Sequence, residues 1–205
     1  VRDVANGGFY MPKKHVYTKE ELDAGLADGG IHDGWAPGSA INVQYLSFRD
    51  IILLYAECLA NDNQLSEAMG YVNQIRTRAA HPDNIIYMPK EQATDPDIPA
   101  ANYLVSTYPA SHAAFSDKDV CIDAIRMERK LELAMEGQRW FDLVRWGGTV
   151  MANAISEYVD FEANFITKFA SSAKLDAAKT MFPLPDGQIQ TMGNDEDGNP
   201  YLVQP

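Results

Sequence analysis

Residues 122–146 read IDAIRMERKLELAMEGQRWFDLVRW, and this stretch decides the fold. It holds no proline and its first breaker is Gly137, so most of it is predicted to be helical. At 100° per residue, Ile122, Ile125 and Leu133 share one side, and Met127, Leu131 and Ala134 share the opposite side. A helix apolar on two sides is packed on two sides, which sets this one inside a helical assembly. Arg129 and Glu136 nevertheless lie on the stripe of Ile122 and Leu133, with Glu128 and Glu132 flanking it. Unpaired buried charges are too costly to keep, so these groups are expected to pair with one another or with Arg126, Arg139, Asp142 and Arg145. After Gly137, Trp140, Phe141, Leu143, Val144 and Trp146 form a short second helix, ended by Gly147-Gly148.

Upstream, Ser47-Phe48-Arg49-Asp50 reads as a capping-box start. Phe48, Ile51, Ile52, Tyr55, Cys58 and Leu59 follow at helical spacing, and Asn61-Asp62-Asn63 stops the run. A second helix, marked by Leu65, Ala68, Met69, Val72, Ile75 and Ala79, ends before His81-Pro82, completing a helical hairpin. The hairpin resembles a tetratricopeptide unit, with Ala56 and Ala68 where two axes approach closely. Residues 1–46 carry little helical period: Phe9-Tyr10-Met11 and His15-Val16-Tyr17 suit short strands or extended segments, and 19–26 suits a turn or two of helix. Prolines keep the long segment 81–115 irregular, and Ser116-Asp117-Lys118-Asp119 caps the central helix. From Thr149 onward, Met151, Ala154, Ile155, Tyr158, Phe161, Phe165 and Phe169 mark another amphipathic helix. Phe182-Pro183-Leu184-Pro185 is extended. The fold class is therefore all-α: helical hairpins with long irregular loops, divided into an irregular segment 1–46 and a helical part 47–205.

The chain has 205 residues and a formal charge of −12, which disfavours nucleic acid as a partner. No apolar run is long enough to cross a membrane. Two cysteines, Cys58 and Cys121, sit among apolar helical residues and read as buried free thiols. Val1-Arg2-Asp3 has no signal-peptide character and reads as the start of a mature, trimmed or partial chain.

Glu128 and Glu132, one helical turn apart, suit the spacing of a retaining glycosidase pair. Catalytic pairs more often come from different elements facing a cleft, and here arginines match the acids, so a structural ion-pair network is favoured. Its members are Arg126, Glu128, Arg129, Glu132, Glu136, Arg139, Asp142 and Arg145. Trp140 and Trp146 suit sugar stacking, but their apolar neighbours favour core positions. Trp35 sits in the loop Gly34-Trp35-Ala36-Pro37, with no periodic reason to be there, and is a candidate ligand contact, as are Tyr87, Tyr103 and Tyr108 on the long loop. His15, His32, His81 and His112 show no metal-ligand spacing, and no metal or cofactor is expected. Asp195-Glu196-Asp197-Gly198-Asn199 offers oxygen ligands for calcium, but lacks the glycine and terminal acid of a helix-loop-helix calcium site. A solvated turn is favoured there.

The string from Glu128 to Gly147, ERKLELAMEGQRWFDLVRWG, resembles the signature of the SusD/RagB family of outer-membrane glycan-binding lipoproteins. Arg49-Asp50-Ile51-Ile52-Leu53-Leu54-Tyr55-Ala56-Glu57 and Val72-Asn73-Gln74-Ile75-Arg76-Thr77-Arg78-Ala79 are further close matches. Gly8-Phe9-Tyr10-Met11-Pro12-Lys13-Lys14 and the Phe182–Pro185 stretch are weaker ones. The resemblance covers the C-terminal part of the family. It implies non-catalytic capture of an oligosaccharide, polysaccharide or other nutrient at the bacterial surface, and delivery to a TonB-dependent transporter. It also implies a lipid anchor on an upstream cysteine absent from this chain, and an N-terminal half that is lost, cleaved or supplied as a separate chain. The competing expectation is a helical-repeat interaction module with no small ligand.

Overall fold

The computed structural model describes residues 14, 16–28, 38–42, 44–87, 97–170, 175–177, 180 and 184–203. Among them every regular element is helical, so the fold is all-α. In order these are α1 (Lys19–Asp23), α2 (Phe48–Asn61), α3 (Leu65–Ala79), α4 (Lys118–Glu132), α5 (Arg139–Arg145), α6 (Gly148–Glu162), α7 (Thr167–Ala170) and α8 (Asp186–Met192). Short 3-10 turns occupy Pro82–Asn84 and Ala113–Phe115. The chain divides into two compact units, one of Pro12–Met135 and one of Val1–Met11 with Glu136–Pro205. Trp35, His15, His32 and the candidate strand at residues 9–11 lie outside the described residues. Val16 and Tyr17 belong to no strand.

In the unit Pro12–Met135, α2 packs against α3 and α4. Leu53, Ala56, Leu59 and Ala60 of α2 meet Ala68, Val72 and Ile75 of α3, with Cys121 and Ile125 of α4 and Phe115 closing the core. Ala56 and Ala68 are fully buried, as a close helix approach requires. The hairpin turns at Asn63, whose φ of 63° lies in the left-handed region that asparagine tolerates. The expected capping box at Ser47 does not form. Ser47 Oγ instead accepts a bond from Arg49 Nε at 2.7 Å, so it holds a side chain in place of the helix end. A capping box is found at α1, where Thr18 and Glu21 satisfy each other's backbone N–H groups.

Asp117 caps α4 by accepting from the N–H groups of Asp119 and Val120. The helix stops at Glu132, short of Gly137, because Met135 and Gly137 both take positive φ (66° and 81°). Lys14 Nζ donates to the carbonyls of Glu132 and Ala134 at 2.6 and 3.3 Å, satisfying acceptors freed at the helix end. Packing of α4 on two apolar sides is only half met. Cys121 and Ile125 are buried, whereas Met127, Leu131 and Ala134 are exposed. Cys58 is another correction: it lies exposed on α2, while burial pushes the Cys121 thiol upward.

In the second unit, α5 packs on α6 and α6 on α7. Gly147, at φ 114°, precedes α6, and a Cβ added at Gly148 would collide with the Ala177 carbonyl oxygen. The buried residues of α5 are Asp142 and Leu143, while Trp140 and Phe141 are exposed. Two turns of helix offer one narrow inward face, and Asp142 takes part of it.

Candidate functional site

The long loop is bound at residues 106–108 to α3 and α4. Asn73 Nδ2 donates to the Tyr108 carbonyl at 2.9 Å, and Tyr108 N donates to Asn73 Oδ1 at 2.7 Å. Arg76 Nε donates to the Ser106 carbonyl, and another arm of the same guanidinium pairs with Glu128. The Tyr108 hydroxyl donates to Glu128 Oε1 at 3.1 Å, and the Arg76 guanidinium carbon stands 4.3 Å from the Tyr108 ring centre. Burial, then the nearby Glu128 carboxylate, raises the Tyr108 pKa above its ordinary value.

Around this anchor, acids and arginines alternate between helices. Glu132 Oε1 accepts from Arg49 at 2.9 Å and from Arg78 at 2.6 Å. Arg129, fully enclosed, pairs with Asp50 at 2.7 Å. The side chains of Glu128 and Glu132 are only 6% and 10% exposed, so their charges depend on these partners. The partners on α2 and α3 were absent from the sequence-based network. Periodicity places a charge on a face of its own helix, but it does not name the residue opposite. The Arg49-Asp50 and Arg76-Arg78 stretches carry these partners, but their reading as hairpin helices and as matches to the family assigns them no ion pair. Arg126 pairs with Asp123 at 3.2 Å on α4 itself. In the second unit, Arg145 pairs with Asp142 at 3.0 Å, and Arg139 and Arg145 lie 5.4 and 5.1 Å from the Trp146 ring.

The three described tyrosine candidates separate. Tyr108 faces inward, edge-on to His112 and Phe115. Tyr87 and Tyr103 keep exposed rings; Tyr87 bridges to Pro99, and the Tyr103 hydroxyl accepts from Ile86 N at 3.2 Å. Ile86, Ile98 and Leu104 on the same loop are also exposed. Helices α3 and α4 and residues 104–105 bound a groove of about 280 Å³. At the far end of the chain, Asp195 accepts from the N–H groups of Asn199 and Asp197, and these bonds hold its carboxyl below the usual range. That carboxylate is spent on the turn itself.

A family model described as the SusD family matches residues 33–201. The chain belongs to the SusD family. It is also 36% identical over 104 residues to the SusD-like protein P38 of Formosa agariphila, a match covering 51% of this chain and 17% of that protein. The chain thus spans well under two thirds of that relative. In this SusD-family chain the signature residues of α4 and the arginines of α2 and α3 form the shared ion-pair array. No described helix is long and apolar enough to cross a membrane.

Proposed function

We propose that this chain is part of a non-catalytic nutrient-binding protein of the bacterial outer-membrane surface, one that captures a glycan and passes it to a TonB-dependent transporter. The observation that carries this reading is the SusD family match over residues 33–201. The geometry is compatible with it: a rigid helical base fixes a loop, and that loop turns the Tyr87 and Tyr103 rings outward. Exposed rings on an ordered backbone suit the apolar face of a sugar, at little entropic cost on binding. The acids Glu128 and Glu132 are engaged by guanidiniums in the way of a structural array, which argues against a catalytic pair. Lipid anchoring and a transporter partner belong to the same proposal.

Calorimetry of the chain against amylopectin, laminarin, xylan and pectin tests the reading. Saturable binding of at least one supports it; failure of all four counts against it. Recovery of a membrane barrel in a pull-down from outer-membrane extract supports the transporter step, whereas recovery of soluble peptides alone favours a helical-repeat interaction module.

A further inference from the structure

We propose that the exposed face of α6 and the turn after it dock an arginine-bearing, partly apolar segment of a partner protein. This face lies wholly within the second unit and takes no part in the glycan-binding reading. Tyr158 and Phe161 stand three residues apart on α6, Phe165 follows in the turn, and all three are more than half exposed. The rings are grouped. Phe161 and Phe165 lie 5.3 Å apart, and Tyr158 stands edge-on to Phe169 at 6.3 Å. The inward side of α6 is supplied by Met151 and Ala152, so the fold does not consume these rings. Grouped exposed apolar side chains mark a contact surface, where a single one does not.

Charge identifies the occupant. Helices α3, α4 and α5 each carry basic residues in the last turn, where the helix dipole favours a cation. Helix α6 has none there, and its charged residues are Glu157, Asp160 and Glu162, all toward that same end. Across α6 and α7 the one base is Lys168, which lies 6.0 Å from the Phe169 ring centre. An acidic helix end disfavours the fold by itself and turns favourable beside a cation from outside. A ring face and a carboxylate both attract a guanidinium, whose plane covers the ring while its N–H groups reach the acid. The chain uses this three-part match elsewhere. Arg76 sits 4.3 Å from the Tyr108 ring while pairing with Glu128, and Arg145 sits 5.1 Å from the Trp146 ring while pairing with Asp142. At α6 the rings and acids stand ready, but no arginine follows Arg145 in the sequence. A second copy of the chain, at a formal charge of −12, is repelled, as is an anionic lipid surface. A neutral sugar gains nothing from the acids. A basic protein segment satisfies both rings and carboxylates.

Fluorescence anisotropy of the whole chain with a labelled leucine–arginine helical peptide, beside its leucine–glutamate counterpart, is the test. Expected is saturable binding of the arginine peptide, weakened by added salt, and none of the glutamate peptide. Phe161→Ser/Phe165→Ser, and separately Tyr158→Ser, should each lose at least tenfold in affinity with the melting transition unchanged. Glu157→Gln/Glu162→Gln should lose several-fold and flatten the salt dependence; if neither ring variant folds, this pair decides. Glu20→Gln/Glu67→Gln removes the same charge from exposed positions on α1 and α3 and should leave the affinity as it was. Equal losses in the two charge-removed pairs would reduce the binding to the general acidity of the chain and overturn the docking face. So would wild-type affinity in a folded ring variant, or no binding of the arginine peptide at all. Failure of every polysaccharide to bind the chain leaves this outcome untouched, whereas loss of glycan affinity in the ring variants would assign the face to the sugar and overturn it.

Discussion

Asn73 and Tyr108, 35 residues apart, are joined as two strands would be: the side-chain amide of one exchanges both a donor and an acceptor with the backbone of the other. These bonds tie residues 106–108 to α3 without a sheet, and α3 is itself packed into the core.

Asn73→Ala is expected to remove two net-favourable bonds and destabilise the fold by about 1–3 kcal/mol. Asn73→Asp keeps the acceptor and loses the donor, so it should fall between the two. Urea unfolding gives the ranking, and faster hydrogen exchange at the Tyr108 amide in both variants locates the effect.

Glu128→Ala should cost about 3 kcal/mol, the low end for a broken buried pair, since Arg76 keeps partial access to water. Arg76→Met with Glu128→Leu together should cost less than Glu128→Ala alone, because no charge is left without its partner. Urea unfolding ranks the two, and a double-mutant cycle of Arg76→Met and Glu128→Leu with their own single variants reads the coupling. Additive losses would contradict the pairing.

Tyr108 supplies a pH dependence of definite sign. Its folded pKa is raised, first by burial and then by Glu128, above the ordinary 10.0. The stabilisation this reflects is fully present below that ordinary value and is lost as pH rises through the folded value. Phenolate absorbance of the wild type minus that of Tyr108→Phe should therefore titrate above 10.0. The stability of the wild type relative to the variant should decline over the same alkaline range.

Gly148 begins α6 where no side chain fits, since an added Cβ would collide with the Ala177 carbonyl oxygen. Gly148→Ala forces backbone apart and should destabilise the second unit by about 1–3 kcal/mol. Gly70→Ala, where a Cβ meets nothing, is the matched control within a helix and should be neutral or slightly stabilising.

Local sequence chemistry made much of this legible. The Asp117 cap, the stop at 61–63 and the burial of Ala56 and Ala68 in the core shared by α2 and α3 follow from residue type and spacing, and all three are seen. What was not legible is pairing across elements. Nothing in the period of α4 says that Glu132 meets Arg49 and Arg78, or that Arg129 meets Asp50. The end of α4 was misplaced because Met135 adopts a left-handed conformation that its side chain does not advertise. Ser47 carried a cap signature but binds Arg49 instead, since a nearby guanidinium competes for the same oxygen. Tyr108 was grouped with the exposed loop aromatics because a loop position alone does not reveal that Arg76 and Glu128 draw its ring and hydroxyl inward.

The central claim is that the carboxylates of α4 are interior supports between helices. Thermal unfolding of Glu132→Gln beside the unaltered chain tests it most directly, because the substitution keeps the shape of the side chain and removes only its charge toward Arg49 and Arg78. At about 2–4 °C per kcal/mol for a chain of this size, the account predicts a fall in Tm of roughly 5 °C. An unchanged Tm would contradict it.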